Sequence, residues 1–333
     1  SSAASDVYKR QVWGFAVATL DEAIVLRRGG VTKPILVLGC IFPEQWIDAL
    51  ENNIRITVYT EELTKVLSNL AVKIGRKAYV HVKLDTGMGR IGFTPGKEGA
   101  DKIEEISKLP NIVMEGLYTH FSKADEGDKS YTMKQMEAYT WMKEELTGRG
   151  ITFSYYHCCN SAGIIDLKGA GQNLSRAGIS TYGMYPSEEV HKENVDLKPA
   201  LELISHVAFV KWVDEGKMIS YGGTYVTKRR TKIATIPVGY GDGYPRSLSN
   251  KGYMLIHGKK APIIGRVCMD QCMVAVSETS LRPTQEAEVG DLMTIVGRDG
   301  DAQITLDELA RACGTINYEL ACGFGMRLEK IYV

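Results

Sequence analysis

Lys83 and Arg90 bracket a glycine-punctuated turn, Lys83-Leu-Asp-Thr-Gly-Met-Gly-Arg90, at the end of an alternating apolar run that opens at His81. A strand that ends in a tight turn carrying a planar, permanently charged fork is suited to hold a carboxylate or a phenolate. Alone, the stretch reads better as a barrel loop with a surface arginine, so other residues must decide. Two downstream loops bear on it: His157-Cys-Cys-Asn160-Ser161-Ala-Gly163 and Leu174-Ser-Arg176-Ala-Gly178-Ile179. Asn160 and Ser161 supply amide and hydroxyl donors, and Gly178-Ile179 offers backbone N–H groups where a side chain would obstruct. That is phosphate-binding chemistry at a strand-to-helix turn. Ordinary helix capping explains Asn160 or Ser161 singly; two such loops together favour a phosphate site.

Arg176 closes a strand and points either at a ring tethered by that phosphate or into a barrel-mouth salt bridge. His120, in Leu117-Tyr-Thr-His120-Phe, and His157 end neighbouring strands; judged singly, both read as core histidines. Further along, Tyr221, Tyr240, Met269 and Tyr318 sit in four short turn motifs, Ser220-Tyr221-Gly, Gly239-Tyr240-Gly, Cys268-Met269-Asp270 and Asn317-Tyr318-Glu319. A tyrosine acts as a base only where neighbours favour its anion, and tyrosines in turns are more often packing or rim residues. The histidines form no metal-ligand constellation.

The elements that must position these residues come in two textures. Buried strands at Phe15–Ala18, Ile35–Leu38, Ile54–Tyr59, Tyr79–Leu84, Ile112–His120, Phe153–Cys158 and Asn173–Arg176 alternate with amphipathic helices. One helix starts at a capping box, Thr19 with Glu22, and another ends at Gly148. Alternating strands and helices make a parallel sheet, here of (β/α)8-barrel type. Seven strands rather than eight imply that one βα unit before Val12 is absent, which would leave exposed strand edges and poor solubility. Ser1–Gln11 reads as a foreign or disordered segment. After Leu201 helical period fades, and strands separated by Gly, Asp and Asn turns predict a mainly β domain over 201–333, ending in a strand at Lys330–Val333. One helix, Leu306–Ala312, is expected there, capped by Thr305. The barrel is assigned to 12–195, with Pro186–Pro199 as hinge.

The 333 residues carry 40 basic and 40 acidic side chains, so charge gives no case for nucleic acid or an anionic membrane. No apolar run is long enough to span a bilayer, and no secretory pattern is present. The seven cysteines are scattered without a C-x-x-C pair, so a reducing, cytoplasmic setting is expected.

Together these motifs resemble the alanine racemases, enzymes of fold-type III that use pyridoxal 5'-phosphate (PLP). The resemblance runs from about Val12 to Val333 and implies a homodimer in which the β domain of one subunit completes the other's active site. It implies interconversion of L- and D-alanine by two-base 1,1-proton transfer on a PLP aldimine, supplying D-alanine for peptidoglycan. By motif, Asn160, Ser161, Gly178, Ile179 and Tyr318 would serve the phosphate, Arg176 would face the pyridine nitrogen, and His120 would bridge Arg176 to the catalytic tyrosine. Arg90 would bind substrate, oriented by a carbamylated Lys83. Tyr221 would be one base, Met269 a substrate contact and Tyr240 an entrance residue. The family's PLP lysine, in an alanine- and glycine-rich motif ending the first barrel strand, has no counterpart: Lys9 lies in the foreign-looking segment and Lys33 before a strand. The chain therefore reads as an N-terminally truncated, inactive racemase. A serine racemase of the same family, a PLP decarboxylase and a non-catalytic PLP-binding barrel are the alternatives; the acidic residue that decarboxylases place at the pyridine nitrogen is replaced by Arg176.

Overall fold

The computed structural model describes residues 12–167, 170, 173–277 and 286–333; the segment expected to be foreign falls outside them. The chain divides into two units, one of residues up to 181 plus 185–197, the other of 182–184 plus 198–333.

The first unit is built on a parallel sheet of β1 (Phe15–Val17), β2 (Ile35–Val37), β3 (Arg55–Val58), β4 (Ala78–Lys83), β5 (Ile112–Tyr118) and β6 (Tyr155–His157), arranged in chain order. Between them run α1 (Leu20–Arg28), α2 (Trp46–Glu51), α3 (Glu61–Lys73), α4 (Lys97–Ser107), α5 (Ser130–Gly148) and, after β6, α6 (Ser161–Asp166). The Thr19–Glu22 capping box is formed at both ends, and Thr60 caps α3 through Leu63 N–H. Apolar residues of the strands and of the inner helix faces, among them Val80, Val82, Leu67, Ile103, Met142 and Leu146, form one continuous core. Each such side chain contributes about 1.5–3 kcal/mol when fully buried. That burial holds the strand ends, and what they carry, in place.

The seventh strand is not formed. Leu174 N–H reaches Tyr156 O at 3.3 Å and Arg176 N–H reaches Cys159 O at 3.0 Å. Ahead of these bonds the Asn173 carboxamide replaces backbone pairing, accepting from Tyr156 N–H at 2.8 Å and donating to Ser154 O at 2.8 Å. Asn173–Arg176 is thus an extended segment beside β6 rather than a ladder partner. One irregularity was not foreseen. The β4–β5 register passes from Val80 opposite Met114 to His81 opposite Gly116, which makes Glu115 the extra residue of a bulge.

The second unit is antiparallel. β8 (Phe209–Val213), β11 (Thr231–Ile236) and β14 (Cys272–Ala275) form one sheet. β12 (Tyr253–Ile256), β13 (Lys259–Pro262), β15 (Leu292–Asp299) and β16 (Ala302–Ile304) form another, which β7 (Leu203–His206) joins through β15. β9 (Met218–Ile219) and β10 (Tyr225–Val226) make a hairpin, and α7 (Leu306–Cys313) and α8 (Asn317–Gly323) close the unit. Thr305 caps α7 as expected, accepting from Glu308 N–H at 3.1 Å, but the Glu308 carboxylate bonds Tyr253 OH instead of completing a box. The strand expected at Lys330–Val333 is absent: these residues are exposed and pair with no strand among those described.

Candidate active site

The C-terminal end of β4 sets the first wall. Lys83 is buried, donates to Leu84 O at 2.7 Å and lies 5.4 Å from the Tyr118 ring centre. Burial pushes its amine down to about 8; Asp85 opposes that, and the charges of Arg176 and Arg90 reinforce it. The loop to Arg90 is knotted by Asp85, whose Oδ1 accepts from Gly87 and Gly89 N–H at 3.1 and 2.9 Å. Gly92 is required there: at φ +140° a Cβ would fall 2.4 Å from Asp85 N. Arg90 is exposed, and no carboxylate among the described residues pairs with it.

The second wall comes from the loops after β5 and β6. Asn160 caps α6, its Oδ1 accepting from Gly163 N–H at 3.0 Å. Ser161 Oγ accepts from Gly178 N–H at 3.0 Å and Ser180 N–H at 3.3 Å, so two backbone donors converge on one point. A Cβ on Gly178 would meet only Ser161 Oγ, at 3.7 Å, leaving room beside those donors. Ile179 is buried under the same turn.

Arg176 ties the two loops together. Its Nη1 donates to His157 Nδ1 at 2.8 Å and to His157 O at 3.1 Å. Its Nη2 serves Thr119 O at 2.8 Å, Cys158 O at 3.2 Å and His120 Nδ1 at 3.3 Å. The guanidinium Nε–H has no partner among the described residues. No carboxylate among them pairs with Arg176, which argues against the barrel-mouth salt bridge. Burial, together with the charges of Arg176, Arg90 and Lys83, drives the His120 imidazole down to about 3, so the ring is neutral. A neutral ring that accepts at Nδ1 carries its proton on Nε2. His157, read as a core histidine, is fully buried and in addition accepts from Arg176. His81, two positions before Lys83 on the same strand face, was missed altogether; strand alternation is the signal that could have found it.

In the second unit, three of the four turn motifs converge. Ser220 Oγ donates to Arg266 O at 2.7 Å, Tyr240 N–H to Cys268 O at 3.1 Å and Gly241 N–H to Met269 O at 2.8 Å. Tyr221, Tyr240 and Met269 are all exposed on this patch. Tyr318, expected in a turn, lies in the first turn of α8. Lys33 donates to Val12 O at the start of β2, remote from the strand ends that bear the other residues. The described residues contain no cluster of metal ligands, and no described helix is long and apolar enough to cross a membrane.

The alanine racemase N-terminal domain matches residues 2–186 and the alanine racemase C-terminal domain matches residues 200–332. An alanine racemase of Desulforamulus reducens is 47% identical over 318 residues, which are 96% of this chain and 84% of that protein. One of Methanococcus maripaludis is 45% identical over 318 residues, with the same coverage of 96% and 84%. The solved alanine racemase of Clostridium difficile 630 superposes with a TM-score of 0.91 at 40% identity, covering 98% of this chain and 83% of that one.

Proposed function

This chain belongs to the alanine racemase family, and from that premise we propose that it interconverts L- and D-alanine with PLP as cofactor. The supporting observation is the donor set: backbone N–H groups of Gly178 and Ser180 converging at Ser161, with the unspent Nε–H of Arg176 in the same loop system. A phosphate fits the first and an unprotonated pyridine nitrogen the second. Asn160, Ser161, Gly178, Ile179 and Tyr318 would hold the phosphate end. PLP, when bound, supplies the electron withdrawal that makes an amino acid's Cα–H acidic.

The chain's own residues do the rest. Arg176 only donates, so it binds the pyridine nitrogen without protonating it and keeps the ring a moderate electron sink. Arg90, with no carboxylate partner of its own, receives the substrate carboxylate. Carbamylation of Lys83 would turn its repulsion of Arg90 into attraction and fix that fork. Tyr221 of the partner subunit takes the Cα proton of L-alanine onto its phenolate oxygen, which His120 supports by donating from Nε2. Met269 contacts substrate through its backbone, and Tyr240 lines the entrance. This reading carries with it a homodimer, a cytoplasmic setting and a role in supplying D-alanine to peptidoglycan.

The second proton-transfer face needs a lysine. Among the described lysines Lys83 alone is buried, and its place beside Arg90 suits it to orient that residue. With PLP in D2O the protein should exchange the Cα proton of L-alanine and form D-alanine, and Tyr221→Phe should suppress that exchange; wild-type exchange in Tyr221→Phe would overturn the reading. Alanine should exchange faster than serine; the reverse order would favour a serine racemase.

A further inference from the structure

A chain of side chains runs through the interior of the first unit, from the start of β3 to Arg176. Arg55 grips Glu115 with two bonds, Nε to Oε2 at 3.0 Å and Nη2 to Oε1 at 3.2 Å. Glu115 Oε2 lies 3.2 Å from His81 Nε2, and His81 Nδ1 lies 2.8 Å from His157 Nε2. His157 Nδ1 lies 2.8 Å from Arg176 Nη1. Every imidazole nitrogen in this run is used, and both rings are buried.

Only one assignment of protons satisfies the run. A guanidinium can only donate, so His157 Nδ1 must accept. Nε2 of His157 then carries its proton and donates to His81 Nδ1. His81 in turn carries its proton on Nε2 and donates to Glu115, which as a carboxylate can only accept. We propose that Glu115, anchored by Arg55 and acting through His81 and His157, is the positioning residue that fixes Arg176 for its ligand, the carboxylate at one end of the run and the guanidinium at the other requiring the same tautomer of both histidines. This deepens the cofactor reading above and rests on it for the identity of the ligand.

The surroundings leave the rings little alternative. Tyr118 stacks on His157 at 4.6 Å between centroids, and Trp13 and Tyr155 flank His81 at 5.7 and 6.4 Å. Burial pulls the His157 imidazole well below its ordinary value, with the charges of Arg176, His81 and Lys83 adding to it. Burial also lowers His81, against the attraction of Glu115. Both rings are therefore neutral, as the alternation of donors and acceptors requires. Glu115 reaches His81 because it is the extra residue of the β5 bulge, a device that re-aims a side chain.

The test is 15N NMR of the imidazoles in the 333-residue protein, without cofactor, in the wild type, Glu115→Gln and Glu115→Leu. In the wild type His81 and His157 should each show a protonated Nε2 and an unprotonated Nδ1 at neutral pH. Glu115→Gln, which keeps an acceptor oxygen and the fold, should preserve that pattern. Glu115→Leu, which keeps the bulk without the acceptor, should shift the His81 Nε2 signal as its hydrogen bond is lost and weaken PLP binding roughly tenfold, the loss of one hydrogen bond to a charged group. A protonated Nδ1 or an imidazolium at either ring of the wild type overturns the relay. So does a Glu115→Leu protein whose His81 signals and PLP affinity are both unchanged. Failure of PLP to bind the wild type would instead count against the cofactor reading, with the tautomers still deciding the relay.

Discussion

Lys83 is a buried amine whose value of about 8 leaves a substantial neutral fraction near neutral pH, and the neutral form is the one that adds CO2. Protein supplied with 13C-bicarbonate should show a carbamate carbon signal that disappears in Lys83→Met; a folded wild type without the signal would contradict the role given to Lys83. His81 and His157 make a second prediction. Their folded values lie below the ordinary histidine value, so the unfolded chain binds protons that the fold excludes. Stability present above about pH 6.5 should then be lost as pH falls, by at most about 1.4 kcal/mol per pH unit for each excluded proton. Urea denaturation at about pH 7 and about pH 5 checks the sign, and an unchanged midpoint would refute it. Single residues were legible in the sequence where a loop motif carried them, as with Arg90, Ser161 and Arg176. His157 and Glu115 were not, because their roles depend on hydrogen bonds to residues 76 and 34 positions from them or from each other's partner, as His81–His157 and His81–Glu115 show.

Elements set these contacts through register. Opposite His81 only a glycine fits: a Cβ on Gly116 would lie 2.3 Å from His81 Nδ1, the acceptor of the relay. Gly116→Ala should cost about 1–3 kcal/mol as overpacking and should also disturb the tautomers. Chemical denaturation combined with 15N spectra measures both, and an alanine variant with wild-type stability and spectra would contradict the geometry. The strands and helices themselves were readable because burial imposes period two or 3.6 on the sequence. The bulge at Glu115 was hidden, since it is a property of two strands rather than one. Asn173–Arg176 reads as a strand by composition, but its Asn173 side chain takes the place of backbone pairing. Lys330–Val333 has the apolar residues of a strand and no described neighbour to pair with.

At the scale of the molecule, the family relationship spans both units. Of the residues with proposed roles, Arg90, His120, Ser161 and Arg176 belong to the first unit, and Tyr221, Met269 and Tyr318 to the second. An isotope experiment tests the assignment of the two faces most directly. The 333-residue protein is incubated in D2O with PLP and either L- or D-alanine, and deuterium at Cα is read by proton NMR alongside chiral analysis. We predict deuterium at Cα with conversion of L-alanine into D-alanine, and loss of that exchange in Tyr221→Phe. No exchange from L-alanine in the wild type, or exchange that survives in Tyr221→Phe, would contradict this.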